Sequence, residues 1–201
     1  MTSLLAERFR PFGTTIFTEM TLLAQKYQAV NLAQGFPDFD GPAFVKAAAA
    51  EAMSAGHNQY ARMFGAPPLN QAIAAWWREC TGTEVLPDVQ ITVTSGCTEA
   101  IAAAMLGLVN PGDEVILFEP YYDSYRACVA MAGGVARFVP LRPVTVRDGG
   151  RATRRFVFDP AELAAAFTNR TRIILVNTPH NPTGKVFTRE ELAQIAALCQ
   201  R

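Results

Sequence analysis

Beyond Pro87 the sequence alternates short β-rich runs with helical stretches, and this alternation constrains the fold more than any other feature. The β-rich runs, bounded by Gly, Pro and Asn, are residues 91–94, 114–118, 135–139 and 173–176. An Ala-rich helical pattern separates the first two runs, and an aromatic one over about residues 121–132 separates the next two. Strands that alternate with helices form βαβ units with a mostly parallel sheet. The sequence therefore predicts the α/β fold class.

The region before Pro87 reads as helices and an extended arm. Residues 1–42 mix prolines and glycines with short apolar pieces, which predicts an arm carrying one helix around residues 16–27. Apolar residues recur at helical spacing from Ala43 onward, and Gly56 follows where a helix C-cap favours a positive φ. The pattern repeats after Pro67. Each of these two helices is expected to bury one face.

An arginine-rich stretch interrupts the later alternation. Residues 140–155 carry five arginines around Gly149 and Gly150. Arginines that bind single-stranded nucleic acid are interleaved with stacking aromatic side chains, and none is interleaved here. We interpret the stretch as a solvated loop.

The last helical stretch predicts a longer protein. Thr188 and Glu191 form a capping-box pattern, so a helix begins there. Gln200 and Arg201 then follow without a Gly, a Pro or a further strand, whereas a crossover helix normally leads to the next parallel strand. The sheet would keep an unpaired apolar edge, which soluble proteins avoid. We therefore expect this chain to be the N-terminal portion of a larger protein.

Charge and composition narrow the classes of partner. The 18 basic residues balance the 18 acidic ones, so no net field favours nucleic acid or an anionic membrane. No apolar run approaches the roughly 20 residues of a spanning helix, and the N-terminal residues lack the apolar core of a signal peptide. The 4 cysteines and 2 histidines share no metal-ligand spacing. We expect a cytoplasmic protein with reduced thiols, no metal site and a small, weakly charged ligand.

The first candidate binding segment is the turn from residue 94 to residue 99. A single Gly96 leads from a predicted strand into a helix, so free backbone N–H groups and the helix dipole face any ligand above the turn. Phosphate suits that position, although no dinucleotide or P-loop motif is present. Two alternatives stay open: a plain strand-to-helix turn, and a nucleophilic Cys97 activated by the helix terminus.

Two further segments lie at predicted strand ends, where open α/β sheets bind ligands. Residues 119–125 contain three tyrosines, one of which can stack on an aromatic ligand while the others pack the helix on the sheet. Residues 177–185 hold Asn181 between two prolines, with its amide ready to donate a hydrogen bond. The neighbouring His180 is interpreted as structural.

The ordered motifs of this chain resemble those of class I/II aminotransferases, which are fold-type I enzymes that use pyridoxal 5′-phosphate (PLP). The motifs are NLAQGFPDF at 31–39, NQY at 58–60, EPYYD at 119–123 and NTPHNPTGK at 177–185. The resemblance runs from about Arg10 to the last residue and lies with the branch of kynurenine, methionine and succinyldiaminopimelate aminotransferases. It implies an arm at 1–42 and, at 43–201, an incomplete three-layer α/β/α PLP-binding large domain.

The resemblance also implies roles for individual residues. The backbone amides of Cys97 and Thr98 would hold the PLP phosphate, and Tyr122 would stack on the pyridine ring. Asn181 would donate to the ring hydroxyl oxygen. The remaining implied contacts are Tyr60 to the partner subunit's cofactor phosphate, Gly35 to the substrate carboxylate and Phe17 to the substrate pocket.

The family's Schiff-base lysine is expected outside this chain. Transamination needs such a lysine and an acidic partner for the pyridine nitrogen. The chain contains Lys26, Lys46 and Lys185, none of which matches the family's catalytic position. The resemblance therefore implies a cytoplasmic homodimer with a biosynthetic role, which moves an amino group from an amino acid to a 2-oxo acid, and a 201-residue portion that is inactive and marginally folded alone. Alternatives are a PLP-dependent carbon–sulfur β-lyase, a non-catalytic domain that binds a phosphorylated metabolite, and a regulatory partner of a complete subunit.

Overall fold

The computed structural model describes residues 6–35, 37–148 and 151–200. The chain forms two compact units: one joins the residues up to Gly13 with the stretch from Cys97 onward, and the other is residues 14–96. The helices are a 3-10 turn at Glu7–Phe9, α1 (Ile16–Tyr27), α2 (Ala43–Ser54), α3 (Pro67–Thr81), α4 (Gly96–Leu108), α5 (Ser124–Met131), α6 (Pro160–Ala166) and α7 (Arg189–Cys199). The strands are β1 (Glu114–Glu119), β2 (Val135–Pro140), β3 (Arg142–Asp148), β4 (Arg151–Val157) and β5 (Thr171–Leu175). The division into an arm at 1–42 and a domain at 43–201 stays a prediction.

A three-stranded parallel sheet forms the centre of the larger unit. Its strand order is β2-β1-β5, and both neighbours run parallel to β1. Glu114 lies opposite Val135, and Val115 lies opposite Ile173. Three of the predicted strands and the parallel arrangement are therefore confirmed.

Helices cover both faces of this sheet. Because successive side chains of a strand point to opposite faces, Ile116 and Phe118 of β1 enter one core cluster while Val115 and Leu117 enter another. The first cluster also contains residues of α6 and α7, and the second contains residues of α4 and α5. The predicted α/β/α layering is confirmed in this unit.

The predicted strand at 91–94 is wrong. These residues form no strand in the part of the chain that the structure describes, and Val93 makes a single backbone hydrogen bond, from its N–H to the carbonyl of Phe64 (3.0 Å). A β-rich run becomes a strand only when a neighbouring strand pairs with it. No such neighbour is present among the described residues.

The loop predicted at 140–155 is also wrong, because β3 and β4 pair there as an antiparallel hairpin. The register runs from Arg142 opposite Val157 to Asp148 opposite Arg151. The Gly-Gly dipeptide at 149–150 is a typical hairpin signal, and it lies outside the described residues. The stretch was interpreted as a loop because it is rich in arginine and poor in apolar residues. An exposed two-stranded hairpin, however, needs few apolar residues on its solvent-facing side.

The helix positions agree closely with the sequence patterns. Thr15 caps α1 by accepting the N–H of Thr18 (3.3 Å), and Thr188 and Glu191 complete the capping box of α7. Gly56 follows α2 with φ +91°, as its proposed capping position requires. The helices predicted at 16–27, from Ala43 and from Pro67 are confirmed.

The expected burial of α2 and α3 is not found. No residue of α2 is buried, and the exposed fractions of Trp76 and Trp77 in α3 are 60% and 42%. Amphipathic helices ordinarily place such apolar side chains against another surface. The apolar faces of α2 and α3 are therefore surfaces suited to a further partner. Every helix among the described residues is too short or too polar to serve as a membrane span.

A completely buried carboxylate lies at the first residue of β1, the central strand of the sheet, and stabilises that end of the sheet. The Glu114 side chain is 0% exposed and accepts hydrogen bonds from Arg137 (2.8 Å), Arg170 (2.6 Å) and the Thr168 hydroxyl (2.7 Å). The hydrogen bonds from Arg137 and Thr168, with a smaller effect of Arg170, lower the pKa of Glu114 from its ordinary 4.5 to about 2, although burial acts in the opposite direction. Nothing in the sequence patterns predicted this cluster.

We expect the Glu114→Gln substitution to lower Tm at neutral pH by an amount that disappears in acid. Because the folded-state pKa of about 2 lies below the ordinary 4.5, ionised Glu114 stabilises the fold above pH 4.5, and this contribution is lost as the pH falls toward 2. Thermal unfolding of both proteins across that range measures the effect. Glu162→Gln, which removes a partly exposed carboxylate, should change Tm less. A gap between Glu114→Gln and the original protein that is independent of pH would contradict this assignment.

Candidate functional site

A tight turn at Gly96 leads into the exposed start of α4. The N–H of Gly96 donates to the Thr94 carbonyl (2.8 Å), and the Thr94 hydroxyl donates to the Gly96 carbonyl (2.9 Å), which forms a tight turn. Gly96 has φ +78°, a conformation that other residues rarely adopt, and a Cβ added there would meet no atom within 4 Å. Cys97 and Thr98 follow in the first helical turn and are exposed. The first N–H groups of a helix lack partners within it, so this end attracts anions.

Two of the three tyrosines after β1 pack against the protein, as the sequence predicted for all but one of them. Tyr121 stacks on Phe138 of β2, with ring centroids 5.3 Å apart and an interplanar angle of 14°. Tyr125 is 7% exposed and belongs to the core beneath α5. Tyr122 is half-buried and meets Tyr125 edge to face at 5.8 Å. The role of Tyr122 as the ring that stacks on a ligand stays a prediction.

The loop after β5 is closed by its own hydrogen bonds. The N–H of His180 donates to the Lys185 carbonyl (2.8 Å), and the N–H of Gly184 donates to the His180 carbonyl (2.7 Å). At the start of the loop, the Asn177 side-chain oxygen accepts the N–H of Asn181 (2.7 Å) and the hydroxyl of Tyr125 (3.4 Å). Asn181 itself is exposed at the loop tip.

The side chains of His180 and Lys185 point into the protein. His180 is 4% exposed, its Nδ1 lies 2.9 Å from the Thr183 hydroxyl, and its pKa is lowered first by burial and then by Lys185. The Lys185 ammonium donates to the Phe156 carbonyl (2.8 Å) and to Glu191 (2.6 Å). Both residues therefore maintain the loop, in agreement with the structural interpretation of His180.

Tyr125 contacts the loop after β5 and the neighbouring Tyr122. Burial raises the pKa of its hydroxyl, and the nearby Cys97 and Tyr122 groups raise it further. The same hydroxyl reaches Asn177, whose oxygen also accepts the N–H of Asn181. Tyr122 therefore contacts the ring of this buried phenol, and Asn181 is connected to its hydroxyl through Asn177.

The remaining residues proposed from the sequence lie in the unit of residues 14–96. Phe17 is half-buried in α1, Gly35 is exposed with no atom within 4 Å of an added Cβ, and Tyr60 is fully exposed. Their roles in substrate and cofactor binding stay predictions.

Comparison with known proteins decides the family. Residues 27–201 match the family described as aminotransferase class I and II. The chain belongs to the class I and II aminotransferases. Methionine aminotransferase of Escherichia coli is 44% identical over 183 residues, covering 91% of this chain and 45% of that protein. Human kynurenine–oxoglutarate transaminase 1 is 43% identical over 188 residues, covering 92% of this chain and 44% of that protein.

A solved aminotransferase structure shares the fold. N-succinyldiaminopimelate aminotransferase from Mycobacterium tuberculosis superimposes with a TM-score of 0.85 at 49% identity, covering 97% of this chain and 49% of that one. The chain therefore spans about half the length of the aminotransferases that it matches. The family resemblance derived from the four motifs is confirmed.

The sequence patterns predicted no role for Asn177, although it lies inside the motif at 177–185, and no hydrogen bond for the Tyr125 hydroxyl. The signal available was the spacing of two asparagines four residues apart, which lets the first side chain accept a backbone N–H of the second.

Proposed function

We propose that this chain supplies the cofactor-binding part of a PLP-dependent aminotransferase that moves an amino group from an amino acid to a 2-oxo acid. The observation that carries the proposal is the connection of Tyr122 and Asn181 through Tyr125 and Asn177 in a chain of this family, whose resemblance adds the α4 turn at Cys97. Each of the three matches a different part of the cofactor.

The chemistry of these groups fits PLP. The exposed helix start at Cys97 and Thr98 offers N–H donors and a positive dipole end to a dianionic phosphate. Tyr122 offers a ring to the pyridine, and the Asn181 carboxamide offers two N–H donors to the ring oxygen. The phosphate, the ring and the ring oxygen of PLP are thereby matched by the α4 amides, the Tyr122 ring and the Asn181 carboxamide, respectively.

In this proposal the residues of this chain bind the cofactor and orient its ring. PLP, when bound, supplies a ring that accepts the electron pair left when the amino acid loses its Cα proton. The amides of Cys97 and Thr98 hold one end of the ligand, and Tyr122 holds its plane. Asn181 fixes the rotation of the ring within that plane by donating to the oxygen. Holding a reactant in one orientation removes entropy that the chemical step would otherwise cost.

We further propose a cytoplasmic homodimer with a biosynthetic role. The exposed apolar side chains of α2 and α3 favour a partner surface, and the exposed Tyr60 is the residue that the resemblance assigns to the partner's cofactor phosphate. Gly35 and Phe17 would contact the substrate. The 4 cysteines are free thiols, as a reducing compartment requires. The biosynthetic role is supported by the resemblance to an N-succinyldiaminopimelate aminotransferase.

Titration of this chain with pyridoxamine 5′-phosphate (PMP), followed by amide NMR shifts, tests the cofactor site. PMP has the ring, oxygen and phosphate of PLP but no aldehyde, so it cannot react with surface lysines. We expect shifts at Cys97, Thr98, Tyr122 and Asn181. Tyr122→Leu should weaken binding by about 0.5–1.5 kcal/mol. Asn181→Leu should weaken it by about 1.5–3 kcal/mol, because the bond lost is to a charged oxygen.

The control is Asn169→Leu, which changes an exposed asparagine just before β5, whereas Asn181 follows that strand. It should leave the PMP affinity within about twofold. Inorganic phosphate is titrated in parallel. If phosphate bound as tightly as PMP, the site would be a phosphate site without ring recognition, and the proposal would fail.

A further inference from the structure

Asn177 makes the contact that connects the two ligand-facing segments. Its Oδ1 accepts the backbone N–H of Asn181 at 2.7 Å and the Tyr125 hydroxyl at 3.4 Å. Both partners are donors, so the atom that faces them is the carboxamide oxygen rather than its nitrogen. The 2.7 Å bond is short, whereas 3.4 Å is long for a hydroxyl donor. The bond to Asn181 is therefore the stronger of the two.

The position of Asn177 explains why this bond matters. β5 ends at Leu175, so Asn177 lies close to the rigid sheet, and Asn181 lies at the exposed tip of the loop. The hydrogen bonds between His180, Gly184 and Lys185 close the loop on its other side. Among the hydrogen bonds of the described residues, the one to Asn177 joins the N–H of Asn181 directly to the end of β5.

The same carboxamide reaches the helix that carries the stacking ring. Tyr125 lies in α5, is 7% exposed and contacts Tyr122 edge to face at 5.8 Å. A displacement of Asn177 would therefore disturb Asn181 directly and Tyr122 through Tyr125.

We infer that Asn177 is a positioning residue for the cofactor: its side-chain oxygen holds Asn181 at the end of β5, so that the Asn181 carboxamide meets the ring oxygen while Tyr122 lies on the ring. The inference rests on the proposed function. Asn177 does not contact the cofactor in this assignment and acts through Asn181.

Hydrogen exchange tests the positioning bond without any ligand. We expect the Asn181 N–H to be protected in the original protein and in Asn177→Asp, which keeps an acceptor oxygen. In Asn177→Leu, which has the same shape but no acceptor, that protection should be lost while the amides of β1 stay protected. Unchanged protection of the Asn181 N–H in Asn177→Leu would overturn the inference.

A ratio of affinities tests the consequence for the cofactor. The ratio compares the Kd of a PMP analogue that lacks the ring oxygen with the Kd of PMP itself. It isolates recognition of that oxygen, and it cancels any general loss of folded protein. We expect a ratio of roughly tenfold or more for the original protein and for Asn177→Asp. The ratio should fall to about one in Asn177→Leu and in Asn181→Leu. In the double variant that carries both substitutions, the ratio should also be about one.

The outcomes separate this inference from the proposed function. If the original protein does not bind PMP, or binds both ligands equally, the assignment of Asn181 as the oxygen donor fails and the inference fails with it. If the original protein discriminates and Asn177→Leu discriminates equally, only the positioning role fails. Should Asn177→Leu not fold, as judged by circular dichroism, Asn177→Ala takes its place in both measurements.

Discussion

Replacing Cys97 with proline is expected to weaken PMP binding roughly tenfold or more, whereas replacing it with alanine should leave the affinity within about twofold. Proline removes one backbone N–H, and the first turn of a helix tolerates it because that N–H has no partner within the helix. Alanine removes only the thiol. If the amides of α4 hold the phosphate, the two substitutions at one position must differ sharply. Isothermal titration with PMP measures both.

The same pair of variants distinguishes between the alternative interpretations of the turn at residues 94–99. If the Cys97 thiol itself, rather than the backbone N–H, contacted PMP, alanine would be as damaging as proline. A plain strand-to-helix turn would make both substitutions harmless. Because a helix terminus binds phosphate without regard to the ring, inorganic phosphate should lose affinity in Cys97→Pro by a similar factor. A proline variant that still bound PMP normally, with circular dichroism unchanged, would move the phosphate site away from α4.

The sheet was predictable where strands pair within the described residues. The runs at 114–118, 135–139 and 173–176 each lie beside another such run, so their β preference is realised. The run at 91–94 is also rich in β-branched residues but forms no strand, since composition reports a preference and pairing requires a neighbour. The β3–β4 hairpin escaped prediction because its exposed strands carry arginines where a buried strand would carry apolar side chains.

The sequence proposes ligand-facing residues for the candidate site, and these stay predictions, but it gives no sign of the residues that support them. Tyr122 and Asn181 follow predicted strands, and ligand-facing residues of open α/β sheets lie at such ends. Asn177 and Lys185 act through hydrogen bonds that depend on the path of a loop. Lysine is ordinarily exposed, so no sequence pattern indicates that Lys185 has a side chain only 5% exposed. The hydrogen bonds of Asn177 and Lys185 can therefore be recognised only from the folded structure of the loop.

The burial of Lys185 leads to a large expected loss of stability on its removal. Its ammonium lies 2.6 Å from the Glu191 carboxylate and 2.8 Å from the Phe156 carbonyl, and 4.9 Å from the centre of the Phe187 ring. Removing one partner of a buried ion pair leaves the other charge uncompensated. We expect Lys185→Met to destabilise the protein by roughly 3 kcal/mol, at the lower end for such pairs because Glu191 is 18% exposed. That corresponds to a fall in Tm of about 6–12 °C for a chain of this size.

A second substitution and a surface control identify the cause of that loss. Adding Glu191→Gln to Lys185→Met neutralises the stranded carboxylate and preserves a capping-box residue, so it should recover part of the lost stability. Arg142→Met breaks an exposed ion pair with Glu162 in the same unit and should cost under about 1 kcal/mol. If the double variant were less stable than Lys185→Met, the uncompensated charge could not be the cause. The loss would then arise from the missing hydrogen bond to Phe156, which anchors β4 to the loop that carries Asn181.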